Sequence, residues 1–246
     1  MHSGVRVKVS TVVAGVHRIE LGAVAVYVVE DDDGPLLIDT GYPNSVDELV
    51  AGLSSLGYGA KDVSGLLVTH CHGDHAGGLA QLELLTGSRS FMHAIDAAMV
   101  RSGEAWRPWV PGPGLVNRLV FRSIDRSTPR TIEPARVSNE VAHGELIDLA
   151  GGIRAIHLPG HCLGMLGFLF ERSGVMFVAD AASRVGPLQM SPNYEDVAVG
   201  RKSLSRLSSY TFDVACFAHG RPLTSHASAV FGRHWAPVDQ AGPPER

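Results

Sequence analysis

The sequence predicts a mixed α/β (α+β) domain in which two sheets pack face to face and helices cover both outer sides. Two observations carry this reading. Apolar segments follow in the order β-β-α-β and, after an irregular stretch, β-α-β, which suits a sandwich of four layers. Strand-like runs also end repeatedly in one ligand-type residue beside a small one: Leu36-Leu37-Ile38 in Asp39-Thr40-Gly41, residues 153–158 in Pro159-Gly160-His161, 175–179 in Asp180, and 214–218 in His219-Gly220. Loops at such ends converge on one edge of the sheets, where sites gather. With 246 residues, 45% apolar and 19% charged, the chain has the length and make-up of one well-buried domain, expected over 1–235. Residues 236–246, with three prolines and no periodic pattern, are expected to form a loose tail.

Taken in order, β-branched residues cluster over 5–13, 16–21 and 24–29, and Asp31-Asp32-Asp33-Gly34-Pro35 gives a turn into 36–38. A hairpin-rich antiparallel sheet follows from that spacing. Asn44 or Ser45 is placed to cap a helix with Val46, Leu49, Val50 and Leu53 on one face, ended by Gly57. Next comes a buried strand at 65–68, then a turn at Gly77-Gly78 into a helix carrying Leu79, Leu82 and Leu85. A short strand at 90–93 and a helix over 94–101 complete this half. The segment 106–114 holds two of the three tryptophans but is too rich in Pro and Gly for regular structure, and the chain reads as irregular to about Glu140. Strand character resumes at 141–149 and 153–158, then in a hairpin of 166–170 with 175–179. A helix over 197–210, with Leu204 and Leu207 inward, precedes the strand at 214–218.

Between the strand at 65–68 and its helix runs Thr69-His70-Cys71-His72-Gly73-Asp74-His75, with four metal-binding groups in six residues. Side chains two positions apart on an extended segment point the same way, so His70 and His72 can grip one ion together. Asp74 and His75 fall after the chain turns and would aim at a second position nearby. Further ligands should come from other strand ends, and His161, Asp180 and His219 are the candidates.

This set of motifs, Thr-His-Cys-His-Gly-Asp-His, Leu-Pro-Gly-His, Ala-Asp and Ala-His-Gly in this order, resembles the metallo-β-lactamase superfamily. It is similar more narrowly to the small hydrolases that include glyoxalase II-like thioesterases and acyl-homoserine lactonase-like enzymes. The resemblance spans about Val12 to Trp235 and implies the αββα sandwich of the metallo-β-lactamase type. One departure is visible: many members continue the third motif as Gly-His-Thr-Pro-Gly-His or -Ser, whereas this chain runs Gly160-His161-Cys162-Leu163-Gly164-Met165.

The chemistry follows from the donor types. Three neutral imidazoles, His70, His72 and His161, leave one position of a tetrahedral zinc open for water. Asp74, His75 and His219 supply a second ion, and Asp180 can bridge the two. The expected cofactor is a pair of divalent ions, zinc first, with manganese or iron as alternatives. Such a pair holds hydroxide at neutral pH and polarises an acyl oxygen, which needs no protein nucleophile and agrees with the absence of a Gly-x-Ser-x-Gly elbow. Asp74, an anionic ligand that helps orient attack, is the candidate catalytic residue. Asp39 is expected to accept a hydrogen bond from a ligand imidazole or to steady its loop. Tyr194, Trp109 and His93 are candidate substrate contacts, with packing as the alternative for Tyr194 and a core position for His93. Residues 106–114 are read as a lid or pocket wall, or as a loop that its tryptophans pin to the core. Cys71 and Cys162 read as small packing residues and not as sulfur ligands. His143, His226 and His234 read as surface.

The substrate class expected is a small ester, lactone or thioester. Rival readings are a mononuclear iron enzyme resembling persulfide dioxygenases, a phosphodiesterase or nuclease of the same superfamily, and a sensor without catalysis. A formal charge of −4 with no Lys/Arg cluster argues against a nucleic-acid partner. No apolar run approaches the ~20 residues that span a bilayer. Three cysteines and no basic-then-apolar start suit the cytoplasm. Oligomeric state is left open, a homodimer included.

Overall fold

Side-chain alternation along the strands decides the layers. The computed structural model describes residues 7–236; residues 5 and 6 of the first expected strand, and the expected tail beyond Ala236, lie outside them. β1 (Lys8–Val13), β2 (Val16–Leu21), β3 (Val24–Val29) and β4 (Leu36–Ile38) form an antiparallel meander. α1 (Val46–Ser55) then leads to β5 (Gly65–Leu67), α2 (Leu79–Thr86) to β6 (Arg89–Met92), and α3 (Ala94–Ser102) toward the edge strand β8 (Asn139–Glu140). From β4 onward the pairs of this seven-stranded sheet are parallel, each crossing made by a helix or a longer excursion. The second sheet has the order β16-β12-β11-β10-β9, from β9 (Leu146–Ile147), β10 (Ile153–His157), β11 (Leu166–Phe170), β12 (Val175–Ala179) and β16 (Val214–Phe217). α5 (Val197–Leu207) and α6 (Ala227–Trp235) belong to this half.

Two apolar clusters result. Tyr27, Ile38, Leu67 and Phe91 of the first sheet meet Phe168, Phe170, Phe177 and Cys216 of the second. Their alternate neighbours, Val26, Val28, Leu37, Leu66, Leu169, Met176 and Val178, turn outward and pack with Leu49 and Leu53 of α1, Leu79 and Leu82 of α2, Leu204 and Leu207 of α5 and Phe231 of α6. A residue shift of one would exchange these faces, so the two cores fix register and layering together. The predicted αββα sandwich is the observed fold.

Differences from the sequence reading lie in the middle of the chain. Residues 106–140 are not irregular throughout: β7 (Val110–Pro111) pairs with β15 (Asn193–Tyr194), and α4 (Leu115–Ser127) follows. The strand expected over 141–149 shrinks to β9, because 142–145 form a turn closed by Ala142 N–H on the Glu145 carboxylate. A small hairpin, β13 (Ala182–Ser183) with β14 (Gln189–Met190), follows Asp180. The helix at 197 stops at Leu207, three residues short of the expected end. Ser45 caps α1 as expected by position, although its hydroxyl donates to the Tyr42 carbonyl and not into the helix.

Candidate metal centre

All seven candidate ligands lie just past strand ends or in turns at one edge of the sandwich. Their side chains form three overlapping clusters: His70, His72 and His161; Asp74, His75 and His219; and His70, His75 and Asp180. His70 and His75 are the shared members, and Asp180 lies where the clusters meet. Its Oδ2 lies 3.5 Å from His161 Nε2, 3.3 Å from His219 Nε2 and 3.8 Å from His75 Nε2, so one carboxylate touches both halves. Asp74 Oδ2 lies 3.4 Å from His219 Nε2 and 3.6 Å from His75 Nε2.

The imidazoles are held from behind. His161 Nδ1 donates to the Asn193 carbonyl at 2.8 Å, and His219 Nδ1 donates to the Ala23 carbonyl at 2.8 Å. His75 Nδ1 donates to Asp39 Oδ2 at 2.9 Å. Each bond fixes a proton on Nδ1 and turns Nε2 toward the cluster. Asp39 also accepts from Thr69 N–H at 2.8 Å and the Thr69 hydroxyl at 2.9 Å, and that hydroxyl is 3.0 Å from His70 Nδ1. Asp39 itself has φ of 66°, a left-handed turn that aims its short carboxylate back across β5. Gly160, before His161, fits for a simpler reason. Its φ is +134°, and a Cβ there would lie 2.3 Å from the backbone of Gly200 on α5.

A test of whether these residues suit metal comes from hydrogen bonding. His70 Nε2, His72 Nε2, His75 Nε2 and Asp180 Oδ1 are buried with no hydrogen-bond partner. Buried polar atoms left unpaired are costly, and here four belong to residues of the same clusters. His161 Nε2 and His72 Nδ1 also face each other at 3.0 Å. Donors of this kind, imidazole and carboxylate, suit zinc and its first-row neighbours.

Electrostatics divide the cluster in two. Burial pushes His70 and His72 far below the ordinary imidazole range and lowers His161 as well. Burial would also lower His75, but Asp74, Asp39 and Asp180 outweigh it and push its pKa up to about 9. At His219 burial is likewise outweighed, by Asp180 and Asp74, and its pKa rises. For Asp74 and Asp180 burial works upward, and the imidazoles of His75 and His219 win, holding both well below the usual carboxylate range.

Comparison with known proteins decides the family. The sequence profile of the metallo-beta-lactamase superfamily matches residues 19–219. This chain belongs to the metallo-beta-lactamase superfamily. It is similar to the probable metallo-hydrolase YqjP of Bacillus subtilis, 26% identical over 231 residues, covering 83% of this chain and 69% of that protein. It is also similar to the atrochrysone carboxyl ACP thioesterase nsrC of Aspergillus novofumigatus, 24% identical over 209 residues, covering 83% of this chain and 51% of that one. The chain spans 64% and 43% of the length of two further curated relatives. Among solved structures, the metallo-beta-lactamase SMB-1 bound to 2-mercaptoethanesulfonate superposes with a TM-score of 0.66 at 24% identity, covering 86% of this chain and 79% of that one. At that identity the likeness is one of fold.

Over this cluster lies a cavity of about 570 Å³, with His72, Asp74, His161, Asp180 and His219 in its floor. Its roof is α4, which contributes Val116, Asn117, Val120 and Ile124, one face at three- and four-residue spacing. Trp109 stands in the wall with its ring edge on His72, 4.9 Å between centroids, and its Nε1 donates to Asp125 of α4 at 2.7 Å. Of the three candidate substrate contacts, only Trp109 reaches this cavity. Tyr194 is fully buried, and its hydroxyl donates to the Ala181 carbonyl at 2.6 Å and accepts from Ser191 N–H at 3.0 Å, so none of it is left for a substrate. His93 caps α3 by accepting from Ile95 N–H and stacks on His157 at 4.3 Å, away from the cavity lining. His143, His226 and His234 are exposed, as read from sequence. Reading the residues alone missed α4. Its signal was present in the spacing of Val116, Val120 and Ile124 and of Arg118, Arg122 and Arg126, between flanking prolines.

Proposed function

We propose that this chain hydrolyses a small ester, thioester or lactone at a centre of two divalent ions, with zinc the ion that the donors suit best. The observation that carries the reading is that Asp180 Oδ2 lies 3.3–3.8 Å from His219, His161 and His75 Nε2, so it faces both halves, in a cluster whose buried His70, His72, His75 and Asp180 each keep an unpaired polar atom. His70, His72 and His161 would hold one ion and Asp74, His75 and His219 the other, with Asp180 between them. When bound, such ions lower the pKa of water and polarise an acyl oxygen. The protein's own part is positional. Asp39, Asn193 and Ala23 fix the tautomers of His75, His161 and His219, so the Nε2 atoms face inward without rearrangement. Asp74 stands at the cavity floor, at hydrogen-bonding range from His219, where it can orient a water for attack. α4 and Trp109 shield that floor from bulk water, which strengthens each charge interaction within it.

A cavity of this volume suits a small molecule, and its apolar roof suits an acyl group. The thioesterase and metallo-hydrolase relatives support the same reaction class. The test pairs elemental analysis of protein purified without chelators with assays on p-nitrophenyl acetate and bis-p-nitrophenyl phosphate. About two zinc ions per chain and turnover of the acetate are expected. One iron per chain without zinc, or turnover of the phosphodiester alone, would overturn the reading.

A further inference from the structure

A second buried polar cluster lies beside the metal centre. Asp96, in the first turn of α3, is completely buried. Its Oδ2 accepts from the backbone N–H of Cys71 at 3.2 Å and from the Cys162 thiol at 3.0 Å. Its Oδ1 accepts from Gly164 N–H at 3.1 Å and from Arg107 Nη2 at 2.6 Å. Cys71 separates His70 from His72, and Cys162 and Gly164 follow His161. One carboxylate therefore grips both turns that present the His70, His72 and His161 imidazoles. Gly164 is required for this approach, since a Cβ there would lie 2.5 Å from the Asp96 carboxylate. The two thiols fill the remaining space with their sulfurs 3.6 Å apart.

Arg107 completes the arrangement. Its Nε donates to Glu195 at 2.7 Å, and the other oxygen of Glu195 accepts from Leu163 N–H at 3.0 Å. The turn after His161 is thus held at Gly164 by Asp96 and at Leu163 by Glu195, with Arg107 between the two carboxylates. Arg107 also precedes Trp109 by two residues, so the same fork anchors the wall whose indole edge meets His72.

A buried ion pair adds little net stability over apolar packing of the same volume, whereas it fixes geometry through directed bonds. We propose that Asp96 is a positioning residue for the metal centre, setting the separation of the His70–His72 and His161 turns, with Arg107 latching the Trp109 wall to the same carboxylate. The inference rests on the reading of those three imidazoles as ligands of one ion.

The decisive experiment measures zinc affinity by chelator competition beside the melting temperature of metal-free protein. In Asp96→Asn the side chain keeps its shape, but its amide turns donors toward donors. A rise in zinc Kd of ~10–100-fold is expected, the range for groups that orient ligands. Should that variant not fold, Arg107→Lys decides, since it keeps a cation at Asp96 and gives up the bridge to Glu195; its zinc Kd should rise several-fold. A lowered melting temperature with an unchanged zinc Kd would mark Asp96 as structural only and overturn the proposal. Wild-type protein that takes up no zinc would overturn the metal reading and this inference with it, whereas tight wild-type binding unaltered by either substitution overturns the inference alone.

Discussion

The floor and the roof of the cavity are built on opposite principles. In the floor, His70, His72, His75, His161 and Asp180 are almost wholly buried and held by strand ends, turns and bonds from Asp39, Asn193 and Asp96. The roof is a helix in which Asn117 alone is buried, and Leu115 and Leu119 are 73% and 72% exposed. Few contacts tie α4 down besides Trp109 to Asp125 and Asn117 to the carbonyls of Pro113 and Met190. A floor so constrained can do one kind of chemistry, and a roof so lightly held can change which molecule receives it. Chemistry should therefore respond to floor substitutions and selectivity to roof substitutions.

The largest effect is expected at Asp74. Asp74→Ala removes an anionic group at the floor while leaving both apolar clusters intact, because neither includes it. Hydrolysis should fall at least about a hundredfold in a folded protein with reduced metal content. Near-normal hydrolysis with unchanged metal content would break the contrast at its strongest point, since a floor ligand would then be dispensable.

The same contrast explains what could be read from the chain. The candidate ligands of the floor are written contiguously in His70-Cys71-His72-Gly73-Asp74-His75 or at strand ends whose apolar runs are plain, and a strand end dictates where its next residue points. The layering was equally legible, because Leu36, Leu37 and Ile38 can serve two cores only in one alternation. α4 was harder to see although its three- and four-residue spacing is present, since its apolar residues face a cavity and solvent, not a core, and Pro108, Pro111 and Pro113 precede it. Asp96 gave no local signal either. Its partners Cys71 and Gly164 are 25 and 68 residues away, and only the fold brings them together. Tyr194 shows the converse: a tyrosine after Asp180 is near the site in space, but its hydroxyl is spent on Ala181 and Ser191, in line with its alternative reading as a packing residue.

A pH series on metal-free protein sharpens the contrast within the floor. His75, raised to about 9, keeps a proton that the unfolded chain loses near ~6.5. Its stabilising contribution is complete below that lower value and is lost as pH rises through about 9; raised His219 acts in the same direction. His70, His72 and His161 have depressed values, so below ~6.5 the unfolded chain binds protons that the folded one refuses, and stability falls on that side as well. The melting temperature of the metal-free protein should decline between about pH 7 and pH 10, and zinc, by replacing those protons, should flatten the decline. A level profile without metal across that interval would remove the division into a proton-poor and a proton-holding half.

Trp109→Ala offers the mildest and most discriminating test, because Trp109 belongs to the wall where floor and roof meet. Truncating a core aromatic costs about 3–5 kcal/mol. Trp109, though only 9% exposed, is in neither apolar cluster and has the cavity on one side, so a smaller loss is expected. Its removal frees Asp125 and with it the inner face of α4, and it takes the indole edge from His72. Comparing kcat/KM for acetyl and octanoyl p-nitrophenyl esters should show the preference between them shifting several-fold, with the melting temperature lowered by only a few degrees. That is the scale of about 1 kcal/mol in a protein of this size. A collapse in stability with the preference unchanged would make Trp109 part of the floor's scaffold, and selectivity would then have to come from α4 alone.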